Sequence, residues 1–184
     1  MKEMVKEKVW TYEDYLKLDD DRRYEVIKGR LMEMPAPTPW HQDLVGKIFI
    51  ILVNFVSRKN LGKAFVSPID VVLSEDMVLQ PDIVYISKEN LGIIGEKAIM
   101  GAPDLVVEIV SPSTTRRDTV VKKGIYEDFS VKEYWIVYPD EKAIEVWVLG
   151  ENGKYELYSF AEKEDKVNSK ILKGLKVDLK EVFK

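Results

Sequence analysis

The run Leu105-Val106-Val107-Glu108-Ile109-Val110 constrains the fold more than any other stretch of this chain. Successive side chains of a strand face opposite ways, so a run apolar at every position but one belongs to a central strand covered on both faces. The one exception is Glu108. A buried carboxylate without a partner is very costly, so it has to find a cation, a set of hydrogen bonds or a proton. Two readings of Glu108 stay open: a salt bridge to a basic residue of the next helix, or ligation of a metal ion.

The flanking sequence predicts elements that can cover such a strand. Thr11 and Asp14 form a capping-box pattern that opens a short helix to about Leu18. Arg23 to Ile27 and Arg30 to Met34 read as a hairpin around Lys28-Gly29. Pro35 to Pro39 is expected to be neither helix nor central strand. Apolar residues at Leu44, Val45, Ile48, Ile51, Leu52, Phe55 and Val56 predict an amphipathic helix from about Trp40 to Arg58. Strands are expected at Ala64 to Val66, Ile69 to Leu73, Asp82 to Ile86 and Tyr134 to Val137. Thr114 or Thr115 caps a helix reaching about Phe129. Ile144 to Leu149 and Tyr155 to Phe160 pair as a second hairpin across Glu151-Asn152-Gly153, and the tail Lys170 to Lys184 is amphipathic without a clear form. The whole predicts an α/β (α+β) architecture, a mixed β-sheet flanked by helices with hairpins at both ends. The 184 residues suit one domain, 1–184.

Composition narrows the function classes. There is no cysteine, so thiolate metal sites and disulfides are excluded, and with one histidine no Ser/His/Asp or Cys/His arrangement is expected. No apolar run is long enough for a membrane helix. Met1 to Lys8 alternates charge, so no signal peptide is expected and a cytoplasmic protein is. The net charge of −4 argues against a broad basic surface for nucleic acid, leaving only a local patch such as Arg116, Arg117, Lys122 and Lys123. No Gly-rich phosphate loop occurs.

Asp82 follows Pro81 at the head of the apolar strand Ile83 to Ile86. If that strand lies beside Leu105 to Val110, two carboxylates meet, and two anions so close repel unless a cation joins them. Hard oxygen donors of this kind suit Mg2+ or Mn2+. On a helix, Asp118, Lys122, Ile125, Tyr126 and Phe129 share one face through steps of three and four. Lys122 then points towards the strand bearing Glu108, where it either stabilises a substrate phosphate or simply pairs with Glu108. Asp82, Glu108 and Lys122 are therefore expected in one cleft. Glu25, in a hairpin strand, reads as a solvated residue, and His41, near the start of the long helix, as a capping or packing residue.

Tyr24 to Gly29, Gln80 to Ile86, Ala102 to Thr114 and Val131 to Val137, with Lys122 on the intervening helix, resemble the PD-(D/E)xK nuclease superfamily. More closely, they resemble the Uma-type family, a widespread bacterial group of endonuclease-like proteins, over about residues 11–150. The resemblance implies a restriction-endonuclease-like fold and metal-dependent hydrolysis of nucleic acid, with DNA favoured over RNA. It implies metal ligation by Asp82, Glu108 and the Ile109 carbonyl, and catalytic roles for Glu25 and Lys122. Superfamily members place the lysine two residues after the second acid; here that position is Val110, and the lysine is displaced to Lys122. A non-catalytic module binding nucleic acid or protein on the same fold is the alternative, and a homo-oligomer is left open.

Overall fold

The computed structural model describes residues 8–184. Residues 1–7, where no signal peptide is expected, lie outside the described residues. The chain begins with a one-turn helix α1 (Tyr12–Tyr15), whose Thr11 and Asp14 form the reciprocal capping box. The hairpin β1 (Tyr24–Ile27) and β2 (Arg30–Glu33) follows. Its turn residues Lys28 and Gly29 both have positive φ, 51° and 71°, the conformation a two-residue hairpin with the right twist requires. The long helix α2 (Pro39–Arg58) starts one residue earlier than expected. Pro39 sits in its first turn, where a missing N–H costs nothing, and Thr38 caps it.

Three short strands β3 (Gly62–Val66), β4 (Val71–Ser74) and β5 (Met77–Leu79) precede β6 (Ile83–Ser87) and β7 (Leu105–Ile109). The expected helix after β7 departs from regular form. A π-helical turn, Arg117–Lys122, runs into α3 (Lys123–Asp128). The strands β8 (Glu133–Tyr138), β9 (Ala143–Leu149) and β10 (Tyr155–Glu162) come next, and the tail folds as β11 (Lys166–Asn168), β12 (Lys176–Asp178) and α4 (Leu179–Val182).

The main sheet has the order β10-β9-β8-β7-β6-β3. Its β7–β8 pair is parallel and the other pairs are antiparallel, so the sheet is mixed, as expected. Strand β4 joins a second, antiparallel sheet with the order β2-β1-β5-β4 rather than the main one. Strand β7 is central and alternates between two cores. Leu105, Val107 and Ile109 pack with α2 residues such as Leu44 and Ile48 and with the C-terminal Val177 and Val182. Val106 and Val110 face the other way, against Ile125 and Tyr126 of α3 and Ile27 and Leu79 of the second sheet. Both faces of β7 are therefore covered, which is what its unbroken apolar run demanded. Glu108 lies on the α3 side. Among the described residues, no helix is long and apolar enough to cross a membrane.

Candidate active site

Asp82, Glu108, Ile109 and Lys122 all line one cleft of about 280 Å3 at the end of β7. The strand register explains the meeting of the two acids. Ile83 pairs with Val107 across the antiparallel β6–β7 ladder, so Asp82, one residue before β6, stands opposite Glu108. Asp82 Oδ2 accepts the backbone N–H of Ile109 at 2.8 Å, which fixes its carboxylate against the neighbouring strand.

Lys122 arrives from the π-helical turn. Its Nζ lies 2.8 Å from Glu108 Oε1, 2.7 Å from Glu25 Oε1 and 3.8 Å from Asp118 Oδ1. The wider turn keeps both Asp118 and Lys122 buried while Val120 and Val121 stay exposed on the outside. Such turns recur where a helix must re-aim side chains at a functional site. Tyr126, one turn on, donates its hydroxyl to Glu108 Oε1 at 2.9 Å. The carboxyl of Glu108 is held well above its ordinary range, first by burial and then by the charges of Asp118, Asp82 and Glu25, against the opposing pull of Lys122. Burial likewise raises Asp118, again opposed by Lys122. Burial works against the charge on Lys122, but Glu108, Glu25 and Asp118 outweigh it and hold the amine protonated.

Glu25 corrects its sequence reading. It is wholly buried on β1, because the second sheet folds over the main one and covers the hairpin face that looked solvated. Its Oε1 accepts the N–H of Gln80 at 3.0 Å, and it grips Lys122 from behind without lining the cleft. His41 corrects its reading too. The cap belongs to Thr38, while the imidazole Nε2 reaches 3.1 Å from the Ile109 carbonyl and 3.3 Å from Asp82 Oδ2. Burial pushes the pKa of His41 down, yet the hydrogen bond and charge of Asp82 prevail and leave it raised. The sequence places Asp118 only on the helix face, and it gives no sign of the contacts that Tyr126 makes with Glu108 and His41 with Ile109. Their partners lie 18 residues away or more, and local spacing carries no sign of them.

A hard divalent cation fits the donor set. The polar network uses Glu108 Oε1 and Asp82 Oδ2, leaving the second oxygen of each carboxylate outside it. The Ile109 carbonyl is within reach of the same cleft. Among the described residues, no group of three or more His, Asp or Glu side chains is set to hold a metal by itself. Binding would therefore draw on two carboxylates, a backbone carbonyl and water, as suits Mg2+ or Mn2+. Arg23 and Arg117 stand on the cleft wall and offer positive charge to an anionic ligand.

The chain matches the model of the Uma2 family, described as "Putative restriction endonuclease", over residues 12–180. Its structure resembles the crystal structure of a "putative nuclease belonging to DUF820" from Anabaena variabilis ATCC 29413, with a TM-score of 0.77 and 20% sequence identity, over 94% of this chain and 97% of that one. At that identity the likeness speaks for the fold. No curated protein matches the chain.

Proposed function

Since the chain belongs to the Uma2 family of restriction-endonuclease-like proteins, we propose that its cleft hydrolyses phosphodiester bonds of nucleic acid, DNA in preference to RNA, with Mg2+ or Mn2+ held by Asp82, Glu108 and the Ile109 carbonyl. One observation carries this: two carboxylates from adjacent strands, a strand-end carbonyl and a buried lysine line the same cleft. When bound, the cation would lower the pKa of a water and offset charge on the scissile phosphate. The protein's own groups have separate tasks. Asp82, fixed by the Ile109 N–H, orients one side of the site. Lys122, held by Glu25 and Asp118, presents a fixed positive charge where negative charge develops on the phosphate oxygens. Glu25 acts through Lys122 and so is a positioning residue. Arg23 and Arg117 supply the local basic surface that the net charge of −4 denies to the rest of the molecule.

The test uses supercoiled DNA, single-stranded DNA and RNA at low salt, where phosphate contacts are strongest. Cleavage that needs Mg2+ or Mn2+, stops with chelator, and is lost in Glu108→Gln and Asp82→Asn is the expected result. A folded protein that cleaves none of these substrates overturns it. A second reading, a binding module without catalysis, is favoured by the Lys122 ammonium, which already compensates Glu25, Glu108 and Asp118 without a metal. In that case millimolar Mg2+ or Mn2+ leaves the melting temperature unchanged.

A further inference from the structure

On the footing of that hydrolytic reading, we infer that a second cavity beside the cleft receives an unpaired base next to the scissile phosphate, which makes single-stranded DNA the preferred substrate and Trp40 a specificity-determining residue. The cavity measures about 390 Å3 and shares Thr38, His41, Ser111 and Pro112 with the cleft as a common wall. A void of this size falls within the range of small-ligand sites. The two spaces differ in charge. Arg23, Arg117 and Lys122 line the cleft, whereas the second cavity has Asp140 and Glu141 on its wall and, among the described residues that line it, no lysine or arginine. A phosphate is therefore drawn to the cleft and repelled from its neighbour. The part of a nucleotide left to fill the second cavity is the neutral one, its base.

The walls suit that occupant. Trp40, Tyr138, Pro112 and Pro139 supply ring surfaces, and the carboxylates can accept hydrogen bonds from N–H groups on a base edge. Trp40 is 38% exposed, open for a residue type that is ordinarily well buried. Every base has a π-face, so stacking on an indole serves any sequence. The frame is fixed on both sides. Trp40 lies in the first turn of α2, which Thr38 caps. The Val110 N–H donates to the Val137 carbonyl at 2.9 Å and ties the end of β7 to β8, while the Tyr138 hydroxyl donates to Glu145 Oε2 at 3.1 Å. A base in a duplex has to be unpaired and unstacked before it can enter such a space, a cost that is least for a single strand.

Three substrates with the same sugar-phosphate backbone test this at low salt: oligothymidylate, its duplex with oligoadenylate, and an oligomer of abasic deoxyribose phosphate. Wild type is expected to cleave oligothymidylate with a kcat/KM about fivefold to a hundredfold above that on the abasic oligomer, the span that one stacked base commonly supplies. It should cleave the duplex more slowly than the free strand. Trp40→Ala should erase the preference for bases by slowing cleavage of oligothymidylate alone, and Trp40→Phe should keep most of it. The ratio of two substrates is read within one variant, so a general loss of folding does not imitate the result. Equal cleavage of oligothymidylate and the abasic oligomer by wild type, or a preference that survives Trp40→Ala, overturns the base site and leaves the hydrolytic cleft standing. If no substrate is cleaved, tryptophan fluorescence decides. Quenching by oligothymidylate that is lost in Trp40→Phe upholds the base site and removes the hydrolysis, and the absence of such quenching overturns both.

Discussion

Asp104 and Glu108 flank the two ends of one central strand, four residues apart, and their surroundings drive them in opposite directions. Both are buried, at 2% and 4% exposure. Asp104 accepts hydrogen bonds from Lys132 Nζ at 2.6 Å, the Ser87 N–H at 2.7 Å and Asn90 Nδ2 at 3.2 Å. Burial alone would raise its pKa, but those donors overcome it and the pKa falls below its ordinary value. Burial raises the pKa of Glu108, and the charges of Asp118, Asp82 and Glu25 add to the rise against the opposing pull of Lys122. The same chemical group is thus a closed joint just before the start of β7 and an electrostatically strained member of a cleft near its end. A carboxyl buried in a cleft beside like charges is an arrangement that recurs at functional sites and in structural ion-pair networks alike.

The largest expected effect tests how far that strain is balanced by one amine. Lys122→Met keeps most of the volume and removes the charge that three buried acids share. Leaving buried carboxylates without their cation typically costs about 3–5 kcal/mol. Urea denaturation should show a loss of that size, partly recovered when Glu25→Gln is added. A loss below about 1 kcal/mol, the level of an exposed pair, would mean that the acids are neutral or hydrated and that the two ends of β7 differ less than their geometry implies. Because this variant weakens the fold, its loss of cleavage has to be read at a temperature where it is still folded.

Next in size is the response to metal. A ligand at 100 times its Kd that binds only the folded state adds about 2.7 kcal/mol. Millimolar Mn2+ should therefore raise the melting temperature clearly. Glu108→Gln and Asp82→Asn should remove the response, whereas Asp104→Asn should leave it intact. Equal loss from Asp104→Asn would erase the distinction between the ends.

A smaller effect separates them by pH. Asp104 has a lowered pKa in the folded state, so its stabilisation is fully present above the unfolded value near 3.8 and is lost as pH falls through the lower folded value. Denaturation midpoints followed from pH 6 down to pH 2, a range set around ordinary carboxyl values, should fall less steeply in Asp104→Asn than in wild type. An unchanged acid limb would show that other groups set it.

Much of this was legible in the sequence because it is local or periodic. The run around Glu108 announced a strand covered on both faces, Lys28-Gly29 announced its turn, and the 3.6-residue pattern of Leu44, Ile48, Leu52 and Val56 announced α2. The meeting of Asp82 with Glu108 followed from assuming that two apolar strands pair, which they do. What stayed hidden depends on long-range packing. Strand β5 has only three residues, Met77–Leu79, too few to carry a period. Glu25 reads as a solvated residue of a hairpin strand, yet it is buried because a second sheet closes over it. His41 obeys helix-start spacing while its partner Ile109 is 68 residues away. The bend that aims Lys122 is a π turn, a departure from the 3.6-residue repeat that side-chain spacing alone does not signal.

The smallest expected effect belongs to Lys123, one position from Lys122 and turned the other way. Its Nζ lies 2.8 Å from the centre of the Trp147 ring, and Trp147 Nε1 donates to Glu145 Oε2 at 2.8 Å. The ring face and the nearby Glu145 and Glu127 favour the charged amine, but burial prevails and lowers its pKa. A partly buried cation–π contact is worth about 0.5–1 kcal/mol, rising to about 2 when desolvated. Lys123→Ala should accordingly cost no more than that by urea denaturation and leave both the metal response and the cleavage rate at wild-type levels. The two adjacent lysines then form an internal control: the same residue type on the same segment, with a charge aimed into the cleft in one case and onto an indole in the other. If Lys123→Ala slows cleavage as much as removing Lys122 does, general positive charge near the phosphate matters more than the aimed ammonium. The role assigned to Lys122 would then pass to the basic surface as a whole.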